Sequence, residues 1–318
     1  MAKADIQNAV FNDETAAREA LEAVRWPQGP VCPHCGNLDQ EKIKKGAGKV
    51  ARPGLYYCAA CNGQFTVTVG TVMERSKIPL TKWLMAMHLM GSSKKGISAH
   101  QLHRLLGVTY KSAWFMAHRI REAMRDAKPT TMGGQGQAVQ ADETYYGNTS
   151  KRAKGYRKGL RHKTQVIALV DHQSGRVRTF TGKSATAKEV RELLLANVDP
   201  ASTLVTDESN LYGGVGREFG RHARVRHAKG KYVTKDGLST NNVENFFGVF
   251  KKGIVGIYHF CSEQHLQRYL DEFQFRYNNR SGLGVSDGER AARIAKGIEG
   301  KRLTYRPIDG NHASSAVR

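Results

Sequence analysis

Three acidic residues and one lysine have the types and the placement that metal-dependent phosphoryl transfer requires. Asp142 and Asp207 each close a short apolar run, and Glu244 opens an amphipathic stretch that contains Lys251. Carboxylates that converge in space bind Mg²⁺ or Mn²⁺, and two such ions can activate a nucleophile and stabilise a leaving oxygen. We therefore take the three acids as candidate catalytic metal ligands. The chain has 28 acidic residues, so the surrounding elements must decide whether these three meet.

The spacing of Glu244 and Lys251 predicts that both side chains occupy one face of a helix. Seven residues advance a helix by about 700°, close to two full turns, and by about 10 Å along its axis. Lys251 could then hold a DNA phosphate beside the metal ions. The alternative is a solvated lysine beside Lys252.

The second half of the chain has a strand and helix order that would bring the two aspartates together. Apolar runs and turn residues predict three strands, a helix, a strand, a short helix, a strand and a long helical tract. These elements are expected at 137–146, 164–171, 176–182, 186–197, 202–207, 209–219, 223–228 and 241–279, with a break near 253–256. This order predicts an α/β, RNase H-like fold, a mixed five-stranded sheet with helices on both faces.

In such a sheet the strands that carry Asp142 and Asp207 lie side by side. Carboxylates this close resist ionisation unless a divalent cation neutralises them, so Mg²⁺ or Mn²⁺ is the expected catalytic cofactor. Glu143 and Glu208 directly follow the two aspartates. Because side chains alternate along a strand, we expect these two glutamates to point to the opposite face and to have structural or supporting roles.

Two Cys-x2-Cys pairs near the N-terminus predict a structural zinc site. Paired cysteines at this separation place four thiolates at two turns, as tetrahedral Zn²⁺ requires, and four thiolates leave no open coordination position. His34 lies inside the first pair as a less favoured ligand. The fifth cysteine, Cys261, is expected to be an inert thiol. The predicted zinc ligands are Cys32, Cys35, Cys58 and Cys61.

Three further stretches, 80–90, 97–106 and 110–124, have helical patterns. The last two flank a glycine-containing turn, which resembles a helix-turn-helix. The alternative is a helical hairpin with no DNA contact. The residues expected to contact DNA at the start of the last helix are Thr109, Tyr110 and Lys111.

The charge of the chain favours a polyanionic partner. Fifty Lys and Arg residues against 28 Asp and Glu give a net charge of +22, which favours double-stranded DNA. The stretch 148–163 is basic and has no acid, and 217–235 is also rich in arginine and lysine. No apolar run approaches the length of a membrane helix, and no signal core is visible, so we expect a cytoplasmic, nucleoid-associated protein. The DNA-contact candidates in the first stretch are Lys151, Arg152, Lys154, Arg157 and Lys158.

Several stretches resemble the IS1595 (ISXO2-like) insertion-sequence transposases, which are DDE-type recombinases. They include Cys-Asn-Gly-Gln-Phe-Thr-Val, Ser-Lys-Ile-Pro-Leu-Thr-Lys-Trp, Ala-Asp-Glu-Thr-Tyr-Tyr-Gly, Thr-Asn-Asn-Val-Glu-Asn-Phe-Phe and Lys-Lys-Gly-Ile-Val-Gly-Ile-Tyr-His. The resemblance covers roughly 20–285. It implies DNA strand cleavage and strand transfer at terminal inverted repeats, by a cut-and-paste or a copy pathway, in a homo-oligomer that bridges two DNA ends.

The resemblance also leaves the third metal ligand open. The family often has asparagine at this position, so Asn241 and Asn242 are rivals to Glu244, which we favour because a carboxylate binds Mg²⁺ more strongly. Two other functions remain as alternatives: an RNase H-like nuclease without strand transfer, and a DNA-binding regulator with an inactive catalytic domain. The expected domains are a zinc ribbon at 1–75, a helix-turn-helix region at 76–128, the catalytic domain at 129–285 and a tail at 286–318.

Overall fold

A computed structural model of the 318-residue chain describes residues 7–46, 52–127, 129–147, 163–182, 186–226 and 233–304. The chain divides into two compact units. The first joins Met1–Arg125 to Gly284–Arg318, and the second is Asp126–Leu283. None of the helices in the described part of the chain combines the length and the apolar character that crossing a bilayer requires.

The first unit begins with a helix that packs beside a small antiparallel sheet. Helix α1 (Glu14–Arg25) starts at Asp13, whose side chain accepts a hydrogen bond from the backbone N–H of Ala16 and so satisfies one of the free donors of the first turn. The sheet contains β1 (Ile43–Lys45), β2 (Tyr56–Cys58) and β3 (Gly63–Phe65) in that order. Trp26, directly after α1, contacts the rings of Tyr56 and Phe65 edge-on at 5.5 and 5.8 Å.

Four more helices complete this unit. They are α2 (Leu80–Ser92), α3 (Ala99–Leu106), α4 (Tyr110–Met124) and α8 (Asp287–Lys296). The three predicted helices at 80–90, 97–106 and 110–124 are confirmed. Gly107 ends α3 with φ of 59°, a left-handed conformation that glycine adopts without strain.

Helix α8 lies in the region that the sequence analysis treats as a tail. It opens with a capping box between Ser286 and Glu289, and it buries Ile294 completely. Arg290 donates a hydrogen bond of 2.9 Å from Nε to the backbone oxygen of Gly91. The helix is only ten residues long, so the helical spacing of its apolar residues is a weak signal in the sequence.

The second unit is built on one mixed sheet of five strands. These are β4 (Ala138–Tyr146), β5 (Thr164–Asp171), β6 (Val177–Gly182), β7 (Thr203–Thr206) and β8 (Arg221–Arg224). They lie in the order β6-β5-β4-β7-β8, with β5 antiparallel to both neighbours and β4, β7 and β8 mutually parallel. The prediction of a mixed five-stranded, RNase H-like sheet is confirmed.

Helices cover both faces of this sheet because its central strands are apolar on both sides. On one face, Val139 and Ala141 of β4 belong to a core with Val190 and Leu194 of α5 (Ala187–Asn197). On the other face, β5 packs against α6 (Asn241–Gly253) and α7 (Glu263–Asn278), which are joined by a π-helical segment, Ile254–Tyr258, and a short turn. The short helix predicted at 209–219 is instead two 3₁₀ turns, Asn210–Tyr212 and Val215–Glu218.

Candidate active site

The candidate active site lies in a notch where β4 extends beyond β7. The parallel pairing of these two strands ends at Gln140 and Val205, whereas β4 continues beside β5 as far as Tyr146. Asp142 closes the apolar run of β4 but lies within the strand rather than at its end. On the side of β7, however, it is beyond the last pair. Asp207 follows the last residue of β7, so both aspartates face the same notch.

A group of three carboxylates occupies this notch. Ligand oxygens of Asp142, Glu143 and Asp207 all lie within 4.8 Å of one another. Asp207 also accepts a hydrogen bond of 2.8 Å from the backbone N–H of Ser209. The predicted meeting of the two aspartates is thus present in the structure, with Glu143 as an additional member.

Glu143 was expected to face away from the aspartates. It does keep the strand parity of Val139 and Ala141, whose side chains contact the α5 side of the core. Its carboxylate accepts hydrogen bonds from Tyr212 Oη at 2.6 Å and from Ser209 Oγ at 3.2 Å. It nevertheless reaches the aspartates because β7 has ended at this level, so along that edge no described strand separates the two faces of β4. The alternation of side chains along β4 was predicted correctly. The early end of β7, which leaves this part of β4 unpaired on that side, was not predicted.

The electrostatics of the notch favour a bound cation. Burial, as the largest cause, and the nearby charges of Glu143, Asp207 and Glu244 together raise the pKa of Asp142 to about 7, although one backbone hydrogen bond opposes the rise. Burial also raises the pKa of Glu143, with a contribution from Asp207. A divalent cation would remove this repulsion, and carboxylate oxygens are the ligands that Mg²⁺ and Mn²⁺ prefer. The residues present therefore fit such an ion.

Glu244 lies at the margin of this group. It is exposed in the first turn of α6 and accepts a hydrogen bond of 2.6 Å from Thr240 Oγ1. Among the described residues, its oxygens are not part of the set within 4.8 Å, yet its charge contributes to the raised pKa of Asp142. Its rival Asn241 is also exposed and begins the helix. The identity of the third ligand stays a prediction.

Gln140 connects β4 to the helix that carries Glu244. This fully buried side chain accepts hydrogen bonds at Oε1 from the backbone N–H groups of Asn242 and Val243, each at 3.2 Å. Its Nε2 lies 2.9 Å from Nδ1 of His172. Gln140 thus satisfies two free donors at the start of α6, a role that Thr240 does not perform with its own side chain. Sequence reasoning missed Gln140, although a glutamine within an apolar strand was a usable signal.

Lys251 lies in the last turn of α6 and is exposed. The helix is continuous from Asn241 to Gly253, so Glu244 and Lys251 are separated by two turns of one helix, as predicted. The contact of Lys251 with a phosphate stays a prediction.

The four predicted zinc ligands form a second group of metal-binding type. The Sγ atoms of Cys32 and Cys61 lie 3.7 Å apart, those of Cys35 and Cys58 lie 3.8 Å apart, and all four belong to one set within 4.8 Å. All are free thiols, and four thiolates in this arrangement fit tetrahedral Zn²⁺ with no open position.

The two other side chains that the sequence analysis considered with the cysteine pairs, His34 and Cys261, have different contacts. His34 Nε2 lies 3.1 Å from the backbone oxygen of Gln64, so its ring is directed at the backbone. Cys261 is buried in the second unit, where its backbone N–H donates to Tyr146 Oη at 2.9 Å.

The predicted DNA-contact residues fall into two sets. Thr109 accepts a hydrogen bond from Ser112 N–H at 3.2 Å and so begins α4. Tyr110 is 43% exposed and stacks on His100 with ring centroids 4.3 Å apart, and Lys111 is exposed. The second set lies outside the described residues: Lys151, Arg152, Lys154, Arg157 and Lys158.

An RNase H-like sheet with carboxylates clustered in the notch between its two central parallel strands, β4 and β7, defines an enzyme of the metal-dependent phosphoryl-transfer class. Comparison with known families is consistent with this class. Residues 134–278 match the family model of the ISXO2-like transposase domain, and residues 12–64 match the transposase zinc-ribbon domain, both of the IS1595 group. The chain therefore belongs to the IS1595 family, and its class is that of a DDE-type DNA transposase.

One related sequence covers most of the chain. It is an uncharacterized protein in transposable element ISH50 of Halobacterium salinarum, 27% identical over 281 residues, which are 84% of this chain and 91% of the relative.

Two solved structures match part of this chain at low sequence identity and with low TM-scores. A chain of the simian T-cell lymphotropic virus intasome in complex with PP2A regulatory subunit B56 gamma matches 54% of this chain at 18% identity, with a TM-score of 0.29. The match spans 63% of that chain, less than two thirds of its length. The HTLV-2 integrase catalytic core domain in complex with magnesium (dimeric form) matches 45% of this chain and 85% of its own, at 17% identity and a TM-score of 0.27.

Proposed function

We propose that this transposase cleaves DNA at the terminal inverted repeats of an insertion sequence and joins the released 3′-hydroxyl to target DNA. The observation that carries the proposal is the group formed by Asp142, Glu143 and Asp207, whose ligand oxygens lie within 4.8 Å of one another in the notch beside β7.

Each residue has a distinct role in this reaction. Asp142 and Asp207 would hold Mg²⁺ or Mn²⁺, and Glu244 would supply the third carboxylate from α6, with Asn241 as the rival. The bound ions would lower the pKa of the attacking water or 3′-hydroxyl and stabilise the leaving oxygen. Glu143 is held by hydrogen bonds from Tyr212 and Ser209. In this position it would add negative charge beside the two aspartates and help to orient them.

The remaining features supply DNA binding. Lys251 would hold a phosphate next to the metal ions, and the basic segment 148–163 would neutralise further phosphates. The start of α4, with Thr109, Tyr110 and Lys111, would contact the repeat sequence. Zn²⁺ on the four cysteines would stabilise the ribbon. Joining two ends to one target requires a homo-oligomer on DNA, acting in the cytoplasm at the nucleoid.

The test is an assay with a labelled duplex of the element's end, a supercoiled target plasmid and Mg²⁺ or Mn²⁺. We expect cleavage at the end and covalent joining to the plasmid, and loss of both products in Asp142→Asn and in Asp207→Asn. Cleavage without joining would instead show that the protein acts as a nuclease without strand transfer. DNA binding without cleavage, unchanged by both substitutions, would instead show that the protein is a DNA-binding regulator.

A further inference from the structure

One face of α6 forms an exposed stripe that begins at the candidate active site. Glu244, Gly248, Lys251 and Val255 are spaced by four, three and four residues, so they lie one above another along a helix. Glu244, Lys251 and Val255 are exposed, and Lys252 is exposed beside them. Over eleven residues the stripe extends about 16 Å from the carboxylates.

Gly248 lies in the middle of this stripe and has no packing reason of its own. A Cβ atom at this position would meet nothing within 4 Å in the described part of the chain. A glycine inside a helix lowers its stability by about 1 kcal/mol relative to alanine. A glycine on an open helical face permits another molecule to approach the backbone closely, and this face also carries Lys251 and Lys252.

The far end of the stripe presents two apolar side chains to solvent. Val255 lies in the π-helical segment and Phe260 follows it, and each is 71% exposed. Between them, His259 has φ of 58°, a conformation that is uncommon for residues other than glycine. The π-helix and this turn are departures from regular backbone that are frequent at functional sites.

A residue between these two apolar side chains in sequence, Tyr258, is held by buried polar contacts. Tyr258 donates a hydrogen bond of 2.7 Å from Oη to Glu272 Oε1, and Glu272 forms an ion pair with Arg276 inside the core beneath the turn. Glu272 is completely buried and Arg276 is 5% exposed. Tyr258, which lies between Val255 and Phe260, is thus anchored in the core, so the exposure of these two residues is not that of a fraying chain end.

We propose that the stripe contacts the DNA that flanks the cleaved bond, and that Phe260 and Val255, at its far end, pack against the faces of unstacked bases about five pairs from that bond. This inference rests on the proposed function. Proteins that kink DNA insert apolar side chains between base steps while nearby cations hold the phosphates, and aromatic rings stack on exposed bases. Lys251 and Lys252 provide the cations, and the same helix face leads to Glu244. At about 3.4 Å per base pair, 16 Å of stripe corresponds to about five base pairs.

The direct test is photocrosslinking of the full-length protein. The variant Phe260→p-benzoyl-L-phenylalanine is irradiated with the labelled duplex of the element's end and Ca²⁺, and a matched variant carries the same residue at Leu283. Leu283 is an exposed apolar residue of the same unit, at 43% exposure, outside both the stripe and the basic stretches. We expect crosslinks from position 260 to bases about five pairs from the cleaved bond, and none from position 283.

A fluorescence assay tests base unstacking. With 2-aminopurine at the crosslinked position, wild-type protein should raise the fluorescence several-fold, as unstacking does. Phe260→Ala should abolish the rise, Phe260→Trp should restore it, and Leu283→Ala should leave it unchanged.

The outcomes separate this inference from the proposed function. If wild-type protein cleaves the duplex but Phe260→Ala retains the full fluorescence change, the stripe proposal is overturned and the function stands. Crosslinks from position 260 to a second copy of the chain instead of DNA would assign the patch to a protein interface and also overturn it. If wild-type protein neither cleaves nor joins DNA while position 260 still crosslinks to the duplex, the function fails and the DNA contact stands.

Discussion

Gln140 and Val243 are 103 residues apart in the chain and are joined by a hydrogen bond of 3.2 Å from the Val243 backbone N–H to Gln140 Oε1. Gln140 precedes Asp142 by two residues on β4, and Val243 precedes Glu244 by one on α6. Together with the hydrogen bond from Asn242 N–H, this contact ties the start of α6 to β4 and so helps to position Glu244 relative to Asp142. Its loss should disturb the site more than the fold.

The first prediction concerns this contact. Gln140→Met keeps the approximate volume but removes the acceptor, which should reduce stability by about 1–3 kcal/mol because two buried N–H groups lose a partner. It should also raise the Mn²⁺ concentration needed for half-maximal cleavage, by about 10–100-fold as for other residues that support metal ligands. Metal titrations of the cleavage rate measure this effect.

A matched control is Gln165→Met, which alters another buried glutamine, on β5. It should affect stability without changing the metal requirement. An unchanged metal requirement in Gln140→Met would show that Gln140 has only a structural role.

The second prediction separates Glu244 from its rivals for the third ligand, which are Glu143 in the notch and Asn241 and Asn242 at the start of α6. If Glu244 binds the metal ion, Glu244→Gln should reduce cleavage more than Glu143→Gln, for which a loss of about 10–100-fold is expected because Glu143 acts through its contacts with Tyr212 and Ser209. Asn241→Ala and Asn242→Ala should then have small effects. Single-turnover cleavage rates at saturating Mn²⁺ decide between them. A larger loss in Glu143→Gln than in Glu244→Gln would assign Glu143 as the third ligand, and a larger loss in Asn241→Ala would assign Asn241.

The sequence was sufficient to predict β4 to β7 and their neighbours, because these strands are apolar or alternating runs and the order of elements limits the topology. It was less accurate for β8 (Arg221–Arg224), which has one apolar residue and lies earlier than the expected 223–228. The meeting of Asp142 and Asp207 follows from that topology. The inclusion of Glu143 does not, because it depends on β7 having only four residues beside the nine of β4. Where a strand ends is decided by long-range pairing, which local pattern does not contain.

The support from Gln140 and the helix α8 were missed for related reasons. The contact of Gln140 with α6 joins residues that are distant in sequence, so no local spacing reveals it. Helix α8 has a clear capping box at Ser286, but its stability comes from packing, with Arg290 bonded to the backbone oxygen of Gly91. Short helices of this kind depend on tertiary contacts more than on their own propensity.

The third prediction is a dependence of stability on pH and metal. Burial moves the pKa of Asp142 from 3.8 to about 7 in the folded protein, so the unfolded state loses this proton first. Its contribution to stability is complete below pH 3.8 and is lost as the pH rises to about 7. In buffer without added Mg²⁺ or Mn²⁺, the unfolding temperature of wild type should therefore fall across this window relative to Asp142→Asn.

A divalent cation should reverse this loss, because it binds the ionised carboxylate. Added Mn²⁺ should raise the unfolding temperature of wild type more at pH 8 than at pH 5, and should have little effect on Asp142→Asn. Thermal scans over this pH range, with and without Mn²⁺, provide the measurement. Parallel pH profiles for wild type and Asp142→Asn would contradict the burial of a protonated Asp142.

The fourth prediction concerns the zinc ribbon. Cys58→Ser should reduce the bound zinc from about one ion per chain to near zero, because a hydroxyl is a poor replacement for a thiolate and three ligands leave the site open. The first unit should unfold at a lower temperature as a result. His34→Ala is the matched control and should retain zinc, since its ring contacts the backbone oxygen of Gln64. Native mass spectrometry measures the metal content of both variants. Zinc retained by Cys58→Ser, or zinc lost from His34→Ala, would contradict the four-cysteine site.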